Sequence, residues 1–155
     1  MIEKISEYIE NKKSEMLDFI QMLVNIDSGT SFKAGVDRVG HILSDALEKE
    51  GFFIEIINQA EYGNHIVAKK PGKGKGRILL VGHMDTVFPE GTAEERPFTI
   101  RENRAYGPGV NDMKSGLTSL LYAIKALCTE CSSEMGSITV ILNGDEEVGS
   151  PTSRS

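Results

Sequence analysis

The chain has 155 residues, of which 39% are hydrophobic and 26% are charged, and its formal net charge is -6. This composition is that of an ordinary globular protein, and the length suffices for one domain with a real core. No stretch approaches the roughly 18 apolar residues of a membrane span. The negative net charge argues against a nucleic-acid partner, because proteins that bind nucleic acids concentrate lysine and arginine on one face.

The first third of the chain is predicted to be helical. Its N-terminus is charged and lacks the apolar core of a secretory signal, so a cytoplasmic protein is expected. Apolar residues repeat at three and four over residues 2–24, which predicts an amphipathic helix that ends at the polar run 27–31. A second helical pattern covers residues 36–47, and Gly51 follows where a C-cap glycine would stand.

Short segments rich in branched and aromatic residues predict strands at 52–57, 66–68, 77–82 and 138–142. The last two contain continuous apolar runs, which are typical of strands buried on both faces of a layered α/β sheet. Between them, apolar residues from Met113 to Leu127 mark one face of a helix that would cover the sheet. The sequence therefore predicts a strand-helix-strand unit.

The two cysteines, Cys128 and Cys131, have the spacing of a redox pair or of half a zinc knuckle. They fall at the predicted C-terminal end of a helix, where the helix dipole disfavours a thiolate. No second pair of metal ligands follows them, so two ordinary reduced thiols are predicted.

Side chains suited to metal binding directly follow both apolar runs. His83 and Asp85 follow the first run, the acidic residues 145–147 follow the second, and Asp112 stands at the start of the intervening helix. In open α/β sheets, ligands bind beyond the carboxyl ends of the strands, so these groups are expected at one edge. One histidine with several carboxylates and no thiolate is suited to zinc, with manganese or cobalt as alternatives.

Each of these residues also has a purely structural explanation. His83 alone would more often be a satisfied histidine near a core, as His41 and His65 are expected to be. Asp112 could simply cap the helix, and residues 145–147 could form a solvated charge cluster in a turn. The placement of all three groups at the ends of buried elements favours a single site.

Three segments resemble the ordered motifs of the dinuclear zinc carboxypeptidase and deacylase family, namely VGHMDTVFP at 81–89, YGPGVNDMKSG at 106–116 and DEEVGS at 145–150. That family includes glutamate carboxypeptidases, aminoacylases, acetylornithine deacetylases and succinyl-diaminopimelate desuccinylases, and the segments between the motifs most resemble the glutamate carboxypeptidase branch. The resemblance implies a three-layer α/β/α zinc-peptidase-like sheet. Residues 1–155 would then be the N-terminal portion of the catalytic domain, without its C-terminal part and its lid and dimerisation domain.

Carried over residue by residue, the resemblance makes His83 a ligand of one zinc ion, Asp112 the carboxylate that bridges both ions, and Glu147 a ligand of the second. Asp85 would hold the free ring nitrogen of His83 and fix its tautomer. Glu146 would be the general base, which takes a proton from water and returns it to the leaving nitrogen. The resemblance also implies a cis peptide bond after Asp112.

The implied activity is zinc-dependent hydrolysis of an amide or peptide bond in a small molecule or peptide with a terminal carboxylate. The remaining ligands are expected beyond Ser155, so the isolated chain is expected to be inactive, and the full-length parent is expected to be a homodimer. The alternative is a non-catalytic interaction module that retains at most a weak metal site. A serine hydrolase is excluded, because no Gly-x-Ser-x-Gly elbow occurs.

Overall fold

A four-stranded mixed sheet organises the chain, whose structure is a computed structural model that describes residues 2–154. The strands in chain order are β1 (Phe53–Ile57), β2 (His65–Lys70), β3 (Arg77–His83), β4 (Thr99–Arg101), β5 (Arg104–Tyr106) and β6 (Ser137–Asn143). The main sheet has the order β1-β2-β6-β3, and β4 pairs with β5 in a separate hairpin. β3 and β6 run parallel, whereas β2 pairs antiparallel with both β1 and β6. All four predicted strands are confirmed.

In the part of the chain that the structure describes, five α-helices accompany the sheet, namely α1 (Ile2–Asn11), α2 (Lys13–Val24), α3 (Lys33–Lys49), α4 (Thr92–Glu95) and α5 (Ser115–Glu130). The single N-terminal helix predicted over residues 2–24 is two helices, because the polar segment 10–15 interrupts the apolar repeat. The predicted glycine cap of α3 is confirmed, since Gly51 has a φ of 81° and donates its N–H to the carbonyl of Glu48. Within residues 2–154, no helix is long and apolar enough to cross a membrane.

The hydrophobic core lies between the helices and one face of the sheet. α5 connects the parallel strands β3 and β6, which confirms the predicted strand-helix-strand unit. The core joins alternate residues of β2 and β6 to apolar side chains of α3 and α5, and its fully buried members include Val36, Val39, Leu43, Leu47, Ile66, Ala68, Leu117, Leu121, Ile138, Val140 and Leu142. The alternation places the other residues of these strands on the opposite face of the sheet.

That opposite face is open among the described residues. Leu79 is 61% exposed and Val81 is 55% exposed, although both belong to the apolar run of β3. The prediction that this strand is buried on both faces is therefore wrong for residues 2–154. The physical reason is that β3 is the edge strand in the sheet order β1-β2-β6-β3 and that α5 covers only one face of the sheet.

Two segments that the sequence pattern did not reveal shape the edge of the sheet beyond β3. α4 and the β4-β5 hairpin occupy the connection between β3 and α5. The loop before α3 is drawn to the same edge by a parallel bridge between Gly29 and Thr86, with Thr30 donating its N–H to the Thr86 carbonyl. This bridge places the side chain of Thr30 beside the residues that follow β3.

Candidate metal centre

Three separate segments bring His83, Asp112 and Glu147 together beyond the carboxyl ends of β3 and β6. His83 ends β3, Asp112 lies in the kinked turn Val110–Lys114 before α5, and Glu147 lies in the single 3₁₀ turn Glu146–Val148 after β6. One potential ligand atom from each residue lies within 4.8 Å of the others. The side chains that were predicted to meet at one edge do so, and their assignment as ligands stays a prediction.

His83 is oriented by acceptors on both of its ring nitrogens. Nε2 lies 2.9 Å from Oδ1 of Asp112 and 3.8 Å from Oε2 of Glu146. Nδ1 lies 3.0 Å from the backbone carbonyl of Asp85 and 3.4 Å from its Oδ1. Burial lowers the pKa of His83, but the hydrogen bonds to Asp85 and Asp112 outweigh it and raise the pKa to about 9. The ring thus sits in surroundings that favour positive charge.

Asp85 is fully buried and joins three segments of the chain. Its carboxylate accepts the hydroxyl of Thr30 at 2.7 Å and the N–H groups of Glu146 and Glu147, each at 3.1 Å. Burial raises the pKa of Asp85, but the bonds from His83, Thr30 and the two N–H groups hold it below its usual range. The predicted contact with His83 is present, whereas the bonds to Thr30 and to the turn backbone had no signal in the sequence.

Asp112 does not cap the helix that follows it. α5 begins only at Ser115, and the backbone leaves the helical conformation at Asp112, with φ of -129° and ψ of 99°. The peptide bond between Asp112 and Met113 is cis, which confirms the expectation drawn from the family resemblance. With its side chain 70% exposed and directed at His83, Asp112 is available to a ligand, and the N-cap explanation is wrong.

The turn that carries Glu146 and Glu147 adds two more carboxylates to the edge. The side chain of Glu146 is 51% exposed, and that of Glu147 is half-buried. Burial raises the pKa of Glu147, and the carboxylates of Asp112, Asp85 and Glu146 raise it further against the opposing effect of His83. Such crowding of negative charge is unfavourable unless a cation is present.

Asp145 does not share this exposed edge, although it precedes Glu146 in the chain. It is fully buried and accepts the N–H and the hydroxyl of Thr152, each at 2.7 Å, and the hydroxyl of Ser153 at 2.6 Å. The alternative of a solvated charge cluster is therefore wrong for Asp145. This carboxylate closes the loop that follows β6.

A buried lysine supports the turn that carries Asp112. Lys114 is 1% exposed, and its Nζ donates to the carbonyl of Ile26 at 2.7 Å. Burial lowers the pKa of Lys114 to about 8, against the opposing effect of Asp27. The bond ties the kinked turn to the loop between α2 and α3. A lysine at the start of a helix is usually solvated, so sequence reasoning missed it.

The donor set fits a divalent cation. One imidazole nitrogen and the oxygen atoms of Asp112 and Glu147 converge, and the opposite nitrogen of His83 is held by Asp85. Nitrogen and carboxylate ligands without a thiolate suit zinc, and also cobalt or manganese. A backbone carbonyl or a carboxylate behind the ligand histidine orients such rings in metal sites, and Asp85 presents its carbonyl at 3.0 Å and its Oδ1 at 3.4 Å from Nδ1.

Comparison with known proteins identifies relatives along most of the chain. Residues 79–155 match the family described as Peptidase family M20/M25/M40. Carboxypeptidase G2 from Pseudomonas sp. is 36% identical over 146 residues, which are 93% of this chain and 35% of that protein. Succinyl-diaminopimelate desuccinylase from Nitrosospira multiformis is 35% identical over 139 residues, which are 86% of this chain and 35% of that protein. The chain spans about a third of the length of these relatives.

Solved structures share the fold. Human carnosine dipeptidase 1 is similar with a TM-score of 0.84 at 22% identity, over 97% of this chain and 36% of that chain. An M20 family metallo-carboxypeptidase from Sulfolobus solfataricus has a TM-score of 0.74 at 25% identity, over 88% of this chain and 32% of that chain. These similarities confirm the predicted zinc-peptidase-like α/β fold.

Proposed function

This chain belongs to peptidase family M20/M25/M40, and we propose that it provides the metal-binding part of a zinc-dependent hydrolase acting on amide or peptide bonds. The observation that carries the proposal is the meeting of His83, Asp112 and Glu147 within 4.8 Å. The names of the relatives, a carboxypeptidase and a desuccinylase, support cleavage of an amide bond. The resemblance of the motifs to glutamate carboxypeptidases supports a small substrate with a terminal carboxylate.

In this proposal, His83, Asp112 and Glu147 hold the metal. A bound divalent cation supplies a Lewis acid that polarises a carbonyl group and lowers the pKa of water. The backbone carbonyl of Asp85 accepts from Nδ1 of His83 at 3.0 Å, so that Nε2 faces the cluster at 2.9 Å from Oδ1 of Asp112. The side-chain carboxylate of Asp85 accepts the N–H groups of Glu146 and Glu147, so one residue positions both His83 and Glu147.

Glu146 is the proposed general base. Its carboxylate reaches the edge of the cluster, with Oε2 3.8 Å from Nε2 of His83, and half of its side chain is open to solvent and substrate. A carboxylate at this place can take a proton from an attacking water and return it to the leaving nitrogen. Its backbone N–H is fixed by Asp85, which limits the positions of the side chain.

Zinc titration of the chain by calorimetry tests the proposed ligands. Asp112→Asn removes a ligand carboxylate, whereas Glu146→Gln changes a neighbouring carboxylate that is proposed to handle protons only. We expect Asp112→Asn to weaken zinc binding by more than about tenfold, the least that loss of a metal-site group usually costs, and Glu146→Gln to retain binding. A wild-type chain that binds no zinc, or equal losses in the two variants, contradicts the assignment.

Hydrolysis of an N-acyl-glutamate tests the chemistry, and it is measured on the zinc-loaded chain and on a longer version that carries the ligands expected beyond Ser155, because the isolated chain is expected to be inactive. Turnover that Glu146→Gln abolishes, with zinc still bound, supports the role of Glu146 as the base. Zinc binding accompanied by the same residual hydrolysis in wild type and Glu146→Gln supports the alternative of a non-catalytic module with a metal site.

A further inference from the structure

A partly buried chain of hydrogen bonds links β2 to the loop that follows the turn carrying Glu146 and Glu147. We propose that His65, Thr152 and Asp145 form a positioning network that fixes this turn and thereby raises the affinity of the site for its cation. The inference rests on the proposed function, since it assigns residues that support that same site. His65 lies on β2, a strand that contributes no residue to the cluster of potential ligands.

The chemistry of the partners fixes the direction of the bonds around His65. Gly144 lies opposite Nδ1, and its backbone N–H, which can only donate, is 3.1 Å from that nitrogen. Nδ1 must therefore accept, and the proton of the neutral ring resides on Nε2. Nε2 lies 2.9 Å from the hydroxyl oxygen of Thr152 and donates to it. The hydroxyl hydrogen of Thr152 is then directed to Asp145, whose Oδ2 accepts it at 2.7 Å.

Burial supports this assignment of the neutral ring. His65 is 4% exposed, and burial lowers its pKa against the opposing effect of Asp145 and Asp85. A protonated ring would carry a donor on Nδ1 that faces the N–H of Gly144, so two donors would oppose each other without an acceptor. The network is therefore complete only with neutral His65.

Asp145 closes the loop around the turn. Besides the hydroxyl of Thr152, its carboxylate accepts the N–H of Thr152 and the hydroxyl of Ser153. Its own carbonyl accepts the N–H of Ser150 at 2.9 Å, and the carbonyl of Glu146 accepts the N–H of Gly149 at 2.8 Å. The segment from 145 to 153 is thus drawn into a closed loop whose first turn contains Glu146 and Glu147.

Two buried carboxylates consequently hold the segment that carries the turn. Asp85 accepts the N–H groups of Glu146 and Glu147. Asp145 accepts the N–H and the hydroxyl of Thr152, where the chain returns after the turn. Loss of the attachment at Thr152 leaves the turn held by Asp85 alone, so Glu147 samples more positions and less of its population is arranged to bind a cation.

The test compares two substitutions at Thr152 with a matched control. Thr152→Val removes the hydroxyl and keeps the shape, whereas Thr152→Ser keeps the hydroxyl. Thr92→Val is the control, because it removes a hydroxyl bond of the same 2.7 Å length, to the carbonyl of Pro89 and outside the 144–153 loop. Two measurements are made, namely zinc affinity by calorimetry and exchange of the Glu146 and Glu147 amide hydrogens in metal-free protein.

We expect Thr152→Val to lower zinc affinity by roughly tenfold, the lower end of the cost of losing a supporting group in a metal site. We also expect faster exchange of the Glu146 and Glu147 amides in this variant. Thr152→Ser restores both values to near wild type, and Thr92→Val changes neither. In wild type, the ¹⁵N shifts of His65 report a proton on Nε2.

The outcomes separate failure of this inference from failure of the proposed function. If Thr152→Val matches wild type in both measurements, or if Thr92→Val shows the same losses, the network does not position the turn. If wild type binds no zinc, the proposed function fails, and the exchange rates alone decide the network. In that case, faster exchange of the Glu146 and Glu147 amides only in Thr152→Val supports the network, and equal exchange in all variants overturns it.

Discussion

The surroundings of His83 and of His65 make an instructive comparison. Both rings are buried, at 6% and 4% exposed, and each is connected to a fully buried aspartate, Asp85 in one case and Asp145 in the other. Despite this likeness, the pKa of His83 is raised by its hydrogen bonds to about 9, whereas burial lowers the pKa of His65.

The difference lies in what each ring nitrogen faces. Both nitrogens of His83 face oxygen acceptors, those of Asp85 and Asp112, so positive charge is favoured. Nδ1 of His65 faces a backbone N–H, and its aspartate is reached only through the hydroxyl of Thr152. The same residue type near the same carboxylate type is therefore a candidate ligand in one place and a neutral connector in the other.

Replacement of each histidine in turn should give the largest difference between the two sites. We expect His83→Asn to weaken zinc binding by more than about a hundredfold, above the usual range for supporting groups, and His65→Asn to weaken it by roughly tenfold. Calorimetric titration of both variants measures the difference. Equal losses would mean that His83 is not a ligand or that His65 does more than position the turn.

Substitutions at Asp85 and Asp145 should have effects that differ less than those of the two histidine substitutions, and we expect these effects in the stability of the metal-free protein. The carboxylate of each aspartate accepts three hydrogen bonds from groups other than histidine. Asp85→Asn also removes one of the two carboxylates beside the buried His83, with Asp112 as the other, so we expect a loss of about 2 kcal/mol in the free energy of unfolding, against about 1 kcal/mol for Asp145→Asn.

Urea denaturation in the presence of a chelator measures these losses. The exposed Asp45 supplies the control, since Asp45→Asn should change the free energy of unfolding by less than about 0.5 kcal/mol. A larger loss in Asp145→Asn than in Asp85→Asn would contradict the view that the charge of His83 depends on Asp85.

The sequence predicted the strands, the long helices and the meeting of His83, Asp112 and Glu147, because apolar periodicity reports burial and the ends of parallel strands share an edge. The sequence did not predict that the N-terminal helix breaks near Lys12 into two helices. It also did not predict the open face that bears Leu79, because a continuous apolar run does not reveal which elements cover the strand.

The supporting residues of the site were missed for a different reason. His65 and Thr152 are distant in sequence and meet only in the folded chain, at 2.9 Å. Lys114 and Thr30 likewise bond to groups in other segments. None of these residues has a neighbour in sequence that indicates its partner, so only the arrangement of the elements reveals the role.

The smallest expected effect is the pH dependence of the free energy of unfolding, which should differ between the contributions of His65 and His83. The pKa of His65 in the folded protein is lowered from 6.5 by burial and by Lys33, against Asp145 and Asp85, so below pH 6.5 the unfolded chain binds a proton more readily. Stability should then fall as the pH drops from 6.5 toward about 5. The hydrogen bonds of His83 raise its pKa to about 9. The contribution of His83 to stability is therefore fully present below pH 6.5 and stays constant in this range.

Subtracting the curve of His65→Asn from that of wild type isolates the effect of His65. Unfolding free energies of the two proteins, measured in urea with a chelator from pH 8 to about pH 5, should run parallel above 6.5 and converge below it. Asp145 does not interfere, because its hydrogen bonds from Ser153 and Thr152 outweigh burial and hold its pKa below 3.8, outside this range. Parallel curves throughout would show that His65 keeps an ordinary pKa, and the neutral connector would then lose its physical basis.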